Sequence, residues 1–159
     1  MGYRPMDDDQ IVELLTALPA RPAVLATTRP DGRPHAAPVW YDLDGDDLRT
    51  GALVFNTGVD TVKGRNLARE PRLGLVVQDD RAPFSFVSLS GTATLIDDLD
   101  LVAEWAARIG GRYMGSGRAE EYRRRNGVPG ELLVRVRVTH AVGATDVAAA
   151  RAEVDATAV

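Results

Sequence analysis

A strict alternation of apolar and polar side chains between residues 87 and 95 limits most strongly what this chain can fold into. The segment contains, in order, Val87, Ser88, Leu89, Ser90, Gly91, Thr92, Ala93, Thr94 and Leu95. Successive side chains of a β-strand point to opposite faces of a sheet, so a period of two predicts a strand with one buried face. The fold must therefore contain a sheet that is covered on one side.

Further segments have strand character, and short connections rich in turn-forming residues separate most of them. The predicted strands cover residues 23–28, 34–42, 53–57, 72–78 and 132–138. The turns at Pro30-Asp31-Gly32 and Asp44-Gly45-Asp46 have hairpin length, which favours antiparallel neighbours. Pro38 cannot donate a ladder hydrogen bond, so an edge, a bulge or a non-strand neighbour is expected there. The economical architecture is a mainly β, antiparallel barrel of the α+β class with peripheral helices.

Helical periodicity and capping residues predict four helices. The first starts at Asp7 to Asp9 and carries on one face Ile11, Leu14, Leu15 and Leu18, before Pro19. The others cover residues 60–70, a segment from Asp97 and Asp98 to Gly110-Gly111, and about 117–125. One domain is expected over residues 1–147, followed by a flexible, Ala-rich tail over residues 148–159.

Length, charge and cysteine content exclude several classes of protein. The 159 residues, 45% of them hydrophobic, predict a single domain with one core. A net charge of -4 argues against a nucleic-acid partner, and the absence of cysteine excludes disulfides, thiolate nucleophiles and iron–sulfur clusters. No apolar run reaches the ~18 residues that span a bilayer, and the first residues lack a signal-peptide pattern. We therefore expect a cytoplasmic protein without membrane contact.

The predicted helix at residues 60–70 contains the most informative group of polar residues. It carries Thr61, Lys63, Arg65 and Asn66 directly after a strand. Cations at the start of a helix, where free N–H groups carry partial positive charge, are suited to bind phosphate. Arg65 would act as a planar fork and Lys63 as a compact charge. An ordinary solvated helix face is the alternative interpretation of this pattern.

Two aromatic residues beside Pro38 form a second candidate feature. Adjacent strand residues face opposite sides, so only one of Trp40 and Tyr41 can line a given pocket while the other enters the core. From the pattern alone, plain core packing is favoured over a pocket.

The remaining polar groups favour structural roles. His35 and His140 lie far apart without metal-ligand spacing, so no metal site is predicted. The run Arg123-Arg124-Arg125 adjoins Glu120 and Glu121, which favours a salt-bridged exposed face over an oligoanion contact.

Several motifs, taken together, point to a known family. They are Val24-Leu25-Ala26-Thr27-Thr28, Asp31-Gly32-Arg33-Pro34-His35, Pro38-Val39-Trp40-Tyr41, Phe55-Asn56-Thr57, Lys63-Gly64-Arg65-Asn66-Leu67, Pro71-Arg72, Phe84-Ser85-Phe86-Val87 and Gly91-Thr92-Ala93. Over residues 10–146 the chain resembles the pyridoxamine-phosphate-oxidase-like split β-barrel flavoprotein superfamily. It is most similar there to actinobacterial oxidoreductases that use coenzyme F-420, an 8-hydroxy-5-deazaflavin, in place of FMN. Val62 stands where FMN members often carry a basic residue, which favours the deazaflavin branch.

The resemblance implies a Greek-key, FMN-binding split barrel and a function. It implies a cytoplasmic homodimer with the cofactor at the subunit interface, which transfers hydride from reduced coenzyme F-420 to a conjugated small-molecule substrate. Two alternatives stay open. One is an FMN-dependent oxidase or reductase of the same fold, and the other is a non-catalytic protein that binds a deazaflavin or a tetrapyrrole.

The resemblance also implies roles for particular residues. Lys63, Arg65 and Asn66 would hold the cofactor phosphate and the adjoining acidic tail. The ring would lie against Pro38, Val39, Trp40 and Tyr41, with its other edge lined by Phe55, Asn56 and Thr57. Ser85 and Phe86 would form a further cofactor contact. No residue is assigned as a catalytic acid or base.

Overall fold

The computed structural model describes residues 3–149 as one antiparallel sheet with helices packed around it. The strands are β1 (Arg4–Pro5), β2 (Ala23–Thr28), β3 (Pro34–Val39), β4 (Asp42–Asp44), β5 (Ala52–Gly58), β6 (Arg72–Asp79), β7 (Ser85–Ile96) and β8 (Glu131–Thr145). The helices are α1 (Asp8–Thr16), α2 (Val62–Arg69), α3 (Leu99–Met114) and α4 (Ala119–Asn126), with a 3-10 turn at Ser116–Arg118. Residues 150–159, most of the predicted tail, lie outside the described residues.

The order of the strands closes the sheet into a split barrel. Seven strands follow the order β3-β2-β6-β7-β8-β5-β4, and β1 pairs with β8. The two ends of this order, β3 and β4, are consecutive in the chain, with only Trp40 and Tyr41 between Val39 and Asp42. Three residue steps span at most about 11 Å, so the two edges must approach each other. The predicted antiparallel barrel with peripheral helices is confirmed, and β3 is an edge strand, as Pro38 indicated.

The prediction of one continuous strand over residues 34–42 was wrong. β3 pairs with β2, whereas β4 pairs with β5 on the other side of the opening. The chain changes partner at two adjacent aromatic residues whose side chains leave in opposite directions. Tyr41 is fully buried in the barrel core, and Trp40 packs outside it against the cluster under α3. The two rings therefore pack on opposite sides of the point where the chain changes its strand partner.

Apolar side chains are buried on both sides of β5. Phe55 belongs to the cluster inside the barrel, whereas Val54 belongs to a second cluster with Trp105 and Ile109 of α3. Alternating strand residues point to opposite faces, so a strand that is covered on both faces is almost entirely apolar. This places α3 directly over β5 and beside the opening of the barrel.

The third helix is longer than predicted. It begins at the capping residue Asp98, as expected, but it continues through Gly110-Gly111 to Met114 and ends at Gly115, whose φ is +100°. Gly110 is a packing position, because a Cβ there would lie 2.3 Å from the Cβ of Tyr122 on α4. The glycine pair therefore brings α4 close to α3 and does not end the helix.

The first helix is capped as expected but ends earlier. Asp7 accepts a hydrogen bond from the Gln10 amide at 2.8 Å, and the Gln10 side chain accepts one from the Asp7 amide, which completes a capping box. The helix stops at Thr16, so Leu18 does not share the buried face with Ile11 and Leu15. Leu15 is fully buried, whereas Leu18 is 73% exposed.

These two leucines provide a matched test of the packing of α1. Replacing Leu15 with Ala should lower the free energy of unfolding by about 2–5 kcal/mol, because it opens a cavity in the core. The same replacement at Leu18 should change it by less than about 0.5 kcal/mol. Urea unfolding followed by tryptophan fluorescence measures both values, and equal losses in the two variants would contradict the placement of α1.

Candidate functional site

A cleft of about 290 Å³ lies where β3 ends and the chain crosses toward β4. We call it the Lys63 cleft, and its walls come from β3, β5, α2, α3 and α4. It is lined by Pro38, Val39, Trp40, Asn56, Lys63, Ala106, Ile109, Gly110, Tyr122 and Asn126. The first five of these were predicted site residues. The volume lies at the lower end of the range for small-molecule sites, so the cleft accommodates part of a cofactor-sized ligand.

The first turn of α2 is fixed to the end of β5. The Thr61 hydroxyl donates to the Gly58 carbonyl at 2.8 Å and accepts from the Gly64 amide at 3.0 Å. Only glycine fits at position 64, since a Cβ there would lie 2.3 Å from the Gly58 carbonyl oxygen. Within residues 3–149, the amides of Val62 and Lys63 have no acceptor. Two free N–H groups at the positive end of a helix form an anion-binding position.

The structure brings only one of the two predicted cations into the cleft. Lys63 is half-buried and lines the cavity, and it has no ion pair in the described part of the chain. Arg65 is exposed and does not line the cavity. Helix residues two positions apart do not face each other, so α2 cannot present both cations to the same point.

An aromatic stack forms one wall of the cleft. Trp40 lies parallel to Tyr113, with ring centroids 4.9 Å apart and 4° between the planes. The Tyr113 hydroxyl donates to the Arg21 carbonyl at 2.8 Å and accepts from the Tyr41 amide at 3.3 Å. Burial raises the pKa of Tyr113, which keeps this hydroxyl a donor at neutral pH. Trp40 is therefore held in one orientation beside the cavity.

Polar groups from β5 and β8 surround the start of α2. The Asn56 amide nitrogen donates to the Val102 carbonyl at 3.3 Å, which leaves the amide oxygen available as an acceptor. Glu131 stands opposite Gly58 in the β5–β8 ladder. Partial burial raises the pKa of Glu131, and the Lys63 ammonium acts in the opposite direction. The carboxylate adds a negative charge near the cation of the cleft.

Two predicted site residues lie inside the barrel and do not reach the cleft. Tyr41 is fully buried, and its hydroxyl donates to the Leu15 carbonyl at 2.7 Å. Burial raises the pKa of this phenol well above its usual range. Phe55 is also fully buried in the same cluster. Of the aromatic pair, Trp40 lines the pocket and Tyr41 enters the core, which is the division expected from their adjacent positions.

Two further predicted residues hold α2 in place. Asn66 is 2% exposed and donates through its side-chain amide to the Thr27 hydroxyl of β2 at 3.0 Å. Thr57 is 3% exposed, and its hydroxyl lies 3.0 Å from that of Thr61. Both side chains are used within the protein, so they position the helix that carries Lys63.

The predicted contacts at Ser85 and Phe86 lie at the far end of β7. Phe86 pairs with Ala144 near the end of β8, whereas Ile96 pairs with Leu133 near its start. The Ser85 hydroxyl lies 3.2 Å from that of Thr145. Within one chain the structure does not bring these two residues to the Lys63 cleft.

Sequence reasoning missed the cleft residues of α3 and α4. They are Ala106, Ile109, Gly110, Tyr122 and Asn126. Tyr122 and Asn126 are four residues apart and therefore share one helix face, which the sequence does show. The close approach of α4 to Gly110 is a tertiary contact, and a glycine pair in a sequence is equally compatible with a helix end.

One outward part of the sheet carries exposed apolar side chains beside the cleft. We call it the open face, and it consists of the outward side chains of Val24, Ala26, Ala36, Pro38, Val76, Ser88, Ser90 and Val142. Val24, Val76 and Val142 are 50%, 40% and 48% exposed. Pro38 belongs to both the open face and the cleft. The same side of the sheet continues to His140, which pairs with Ser90, and to Arg72, which forms an ion pair with Glu70. Exposed apolar groups of this kind are typical of an interaction surface.

No helix within residues 3–149 has the length and apolar character needed to cross a membrane. In the same range, no three His, Asp or Glu side chains come together in a way that could hold a metal ion.

The architecture and the cleft define a split-barrel protein whose helix α2 begins, with two free amides, beside the opening of its sheet. Residues 8–142 match the family described as pyridoxamine 5'-phosphate oxidase, and the chain belongs to this family. The resemblance stated from the sequence is thereby confirmed at the level of the superfamily. Members of the family include oxidoreductases, and the fold binds flavin or deazaflavin cofactors. Comparison with curated proteins gives no match.

Solved structures share this fold at low sequence identity. A conserved hypothetical protein from Mycobacterium tuberculosis has a TM-score of 0.71 and 22% identity, covering 86% of this chain and 82% of that one. An F420 reductase has a TM-score of 0.63 and 22% identity, with coverages of 87% and 98%. A FAD-binding protein from Mesorhizobium loti has a TM-score of 0.63 and 17% identity, with coverages of 91% and 98%. At these identities the similarity is one of fold.

Asn66 and Lys63 lie three residues apart on α2, but we expect substitutions at these positions to have different effects. Replacing Asn66 with Ala removes a buried hydrogen bond and leaves the Thr27 hydroxyl without its partner, which should cost about 1–3 kcal/mol of unfolding free energy. Replacing Lys63 with Ala should cost less than about 0.5 kcal/mol, since the ammonium has no partner within residues 3–149. Chemical denaturation measures both, and a larger loss for Lys63 would refute these roles.

Proposed function

We propose that the protein is an oxidoreductase that transfers hydride from reduced coenzyme F-420 to a conjugated organic substrate. One observation carries the proposal. A half-buried lysine without an ion pair in the described chain lines the same cleft as a fixed tryptophan ring, and the helix that carries this lysine starts with two free amides. That combination suits a ligand with a phosphate at one end and a planar ring at the other.

The phosphate would bind at the start of α2. The amides of Val62 and Lys63 supply two donors, and the Lys63 ammonium supplies a charge beside them. Hydrogen bonds from a cation to phosphate are stronger than neutral ones. Arg65, which lies outside the cavity on the same helix, would meet a more distal acidic part of the cofactor. Asn66 and Thr57 would contribute by holding the helix against β2 and β5.

The ring would lie beside Pro38, Val39 and Trp40, with the amide oxygen of Asn56 at one edge. When bound, the deazaflavin would supply the hydride, so the chain needs no strong acid or base of its own for that transfer. The Tyr113 stack keeps Trp40 from turning into the cavity, and the apolar side chains of Ala106 and Ile109 exclude water from the inner wall. The protein therefore binds, orients and shields the reacting groups.

A second copy of the chain would complete the site. The side chains that define the open face carry no charge, and Val24, Val76 and Val142 together supply exposed apolar surface. Because Pro38 belongs to both surfaces, a partner on the open face would also border the Lys63 cleft. The stretch around Ser85 and Phe86, remote from the cleft within one chain, would approach the cofactor from the second copy. We therefore propose a homodimer with the cofactor at its interface.

Two alternative functions are considered. One uses a different cofactor, and the other binds its ligand without catalysis. The similar structures include both an F420 reductase and a FAD-binding protein, so an FMN-dependent oxidase or reductase is the second candidate. Val62 stands before the lysine, where FMN-binding members often carry a basic residue, so this position favours the deazaflavin. A non-catalytic deazaflavin- or tetrapyrrole-binding protein would bind its ligand tightly and turn over no quinone, enone or linear tetrapyrrole.

A fluorescence titration with coenzyme F-420 and, separately, with FMN tests the proposed cofactor. Trp40 lines the cleft, so a bound ring should quench tryptophan fluorescence. We expect tighter binding of coenzyme F-420.

Replacing Lys63 with Ala should weaken that binding by roughly 1.5–3 kcal/mol, the range for a hydrogen bond to a charged group. Replacing Arg65 with Ala should have a smaller effect. Tighter binding of FMN would favour the alternative, and unchanged affinity without Lys63 would refute the phosphate position.

The proposed dimer predicts that a charge on the open face separates the subunits. Replacing Val76 with Glu would bury an unpaired carboxylate in the interface, which is strongly unfavourable. We expect light scattering to give about twice the 17.1 kDa chain mass for the wild type and the monomer mass for this variant. Val128, which is 38% exposed and outside the open face, is the matched position, and Val128→Glu should stay dimeric. A monomeric wild type would contradict the proposal.

A further inference from the structure

The hydroxyl of Tyr122 is a polar group whose partner is missing from the described chain. Tyr122 is 5% exposed and lines the Lys63 cleft. Across residues 3–149, no hydrogen bond satisfies its hydroxyl, whereas those of Tyr41 and Tyr113 both have backbone partners. Within residues 3–149, the buried side-chain atoms without a partner are His35 Nδ1 and Arg112 Nε, so the Tyr122 hydroxyl is accessible to solvent. A solvent-accessible hydroxyl that the protein does not use itself is available to a ligand in the cleft.

The ring of Tyr122 is held firmly in this position. Gly110 leaves the space that its side chain enters, since a Cβ on Gly110 would lie 2.3 Å from both Cβ and Cγ of Tyr122. Trp40 packs against it with a centroid distance of 5.6 Å and 56° between the planes. The guanidinium groups of Arg118 and Arg125 lie 5.6 Å and 5.8 Å from the ring centre. These contacts restrain the ring on three sides, so the position of its hydroxyl is restrained as well.

Asn126 places a second uncharged polar group on the same wall. It follows Tyr122 by four residues on α4, so both side chains lie on one helix face, and both line the cleft. The side-chain amide of Asn126 also has no hydrogen-bond partner among the residues that the structure describes. Together the two residues offer a phenol donor, an amide donor and an amide acceptor.

We propose that Tyr122 and Asn126 form a hydrogen-bonding edge that recognises the neutral, carbonyl- and N–H-bearing rim of a planar heterocycle. This inference rests on the proposed function, in which the same ligand places its phosphate at Lys63. Tyr122 and Asn126, the part of α4 that lines the cleft, offer uncharged donors and an acceptor. Such groups select a neutral rim by its pattern of hydrogen bonds. The α2 wall carries the cation and selects the anionic end. Tyr122 and Asn126 are thus positioning and specificity residues.

Ligand pairs with and without the phosphate end separate the two walls. Riboflavin and FMN differ only by the phosphate. The second pair consists of the 8-hydroxy-5-deazaflavin that carries a ribityl chain without phosphate and of coenzyme F-420, which adds the phosphate and the acidic tail. Equilibrium binding is measured by fluorescence for the wild type, Tyr122→Phe, Asn126→Ala and Lys63→Ala. Tyr122→Phe keeps the ring and removes only the hydroxyl. Tyr3→Phe, an exposed position outside the cleft, is the matched control, and thermal unfolding checks that each variant folds.

We expect Tyr122→Phe to weaken both members of a pair by the same factor, about 3- to 10-fold, as for the loss of one neutral hydrogen bond. Asn126→Ala should act in the same way, and Tyr3→Phe should change nothing. Lys63→Ala should weaken only the phosphate-bearing member. Unchanged affinities for both members in Tyr122→Phe and Asn126→Ala would overturn the edge and leave the proposed function intact. A wild type that binds neither pair would overturn both.

Discussion

The closure of the sheet depends on two adjacent aromatic side chains that leave the backbone in opposite directions. Tyr41 enters the barrel, where its hydroxyl bonds to the Leu15 carbonyl and so ties the core to α1. Trp40 packs on the outside against Tyr113 of α3. Between β3 and β4 the chain leaves one edge of the sheet for the other, and the two rings pack on opposite sides of this crossing. The cleft lies beside the crossing, since Val39 and Trp40 line it.

The helix that follows β5 turns this opening into a site with a positive charge. Its first turn is held by the Thr61 cap and by the close contact of Gly64 with Gly58, while Asn66 fastens its far side to Thr27. These polar contacts are internal, so they leave the Lys63 ammonium and two amides for a ligand. Arg112 connects α3 to the other edge of the opening by an ion pair with Asp42 at 2.8 Å. The helix start and α3 beside the cleft are therefore held by contacts within the protein.

The features that the sequence predicted correctly depend on residues that are close together in the chain. The alternation in β7, the start of α3 at Asp98 and the edge position of Pro38 each depend on nearby residues, and each agrees with the structure. Contacts between distant segments could not be predicted in the same way. The division of the strand at Trp40, the continuation of α3 past Gly110 and the contribution of α4 to the cleft depend on which surfaces meet. The residue pattern on α2 also did not show that only Lys63 faces the cavity.

The central claim is that one cleft binds the phosphate of a deazaflavin at α2 and its ring beside Trp40. A crystal structure of the protein with coenzyme F-420 tests this most directly. The account predicts the phosphate within hydrogen-bond distance of the Val62 and Lys63 amides and the Lys63 ammonium, with the ring against Pro38 and Trp40. A cofactor bound elsewhere, with the start of α2 free of the phosphate, would contradict it.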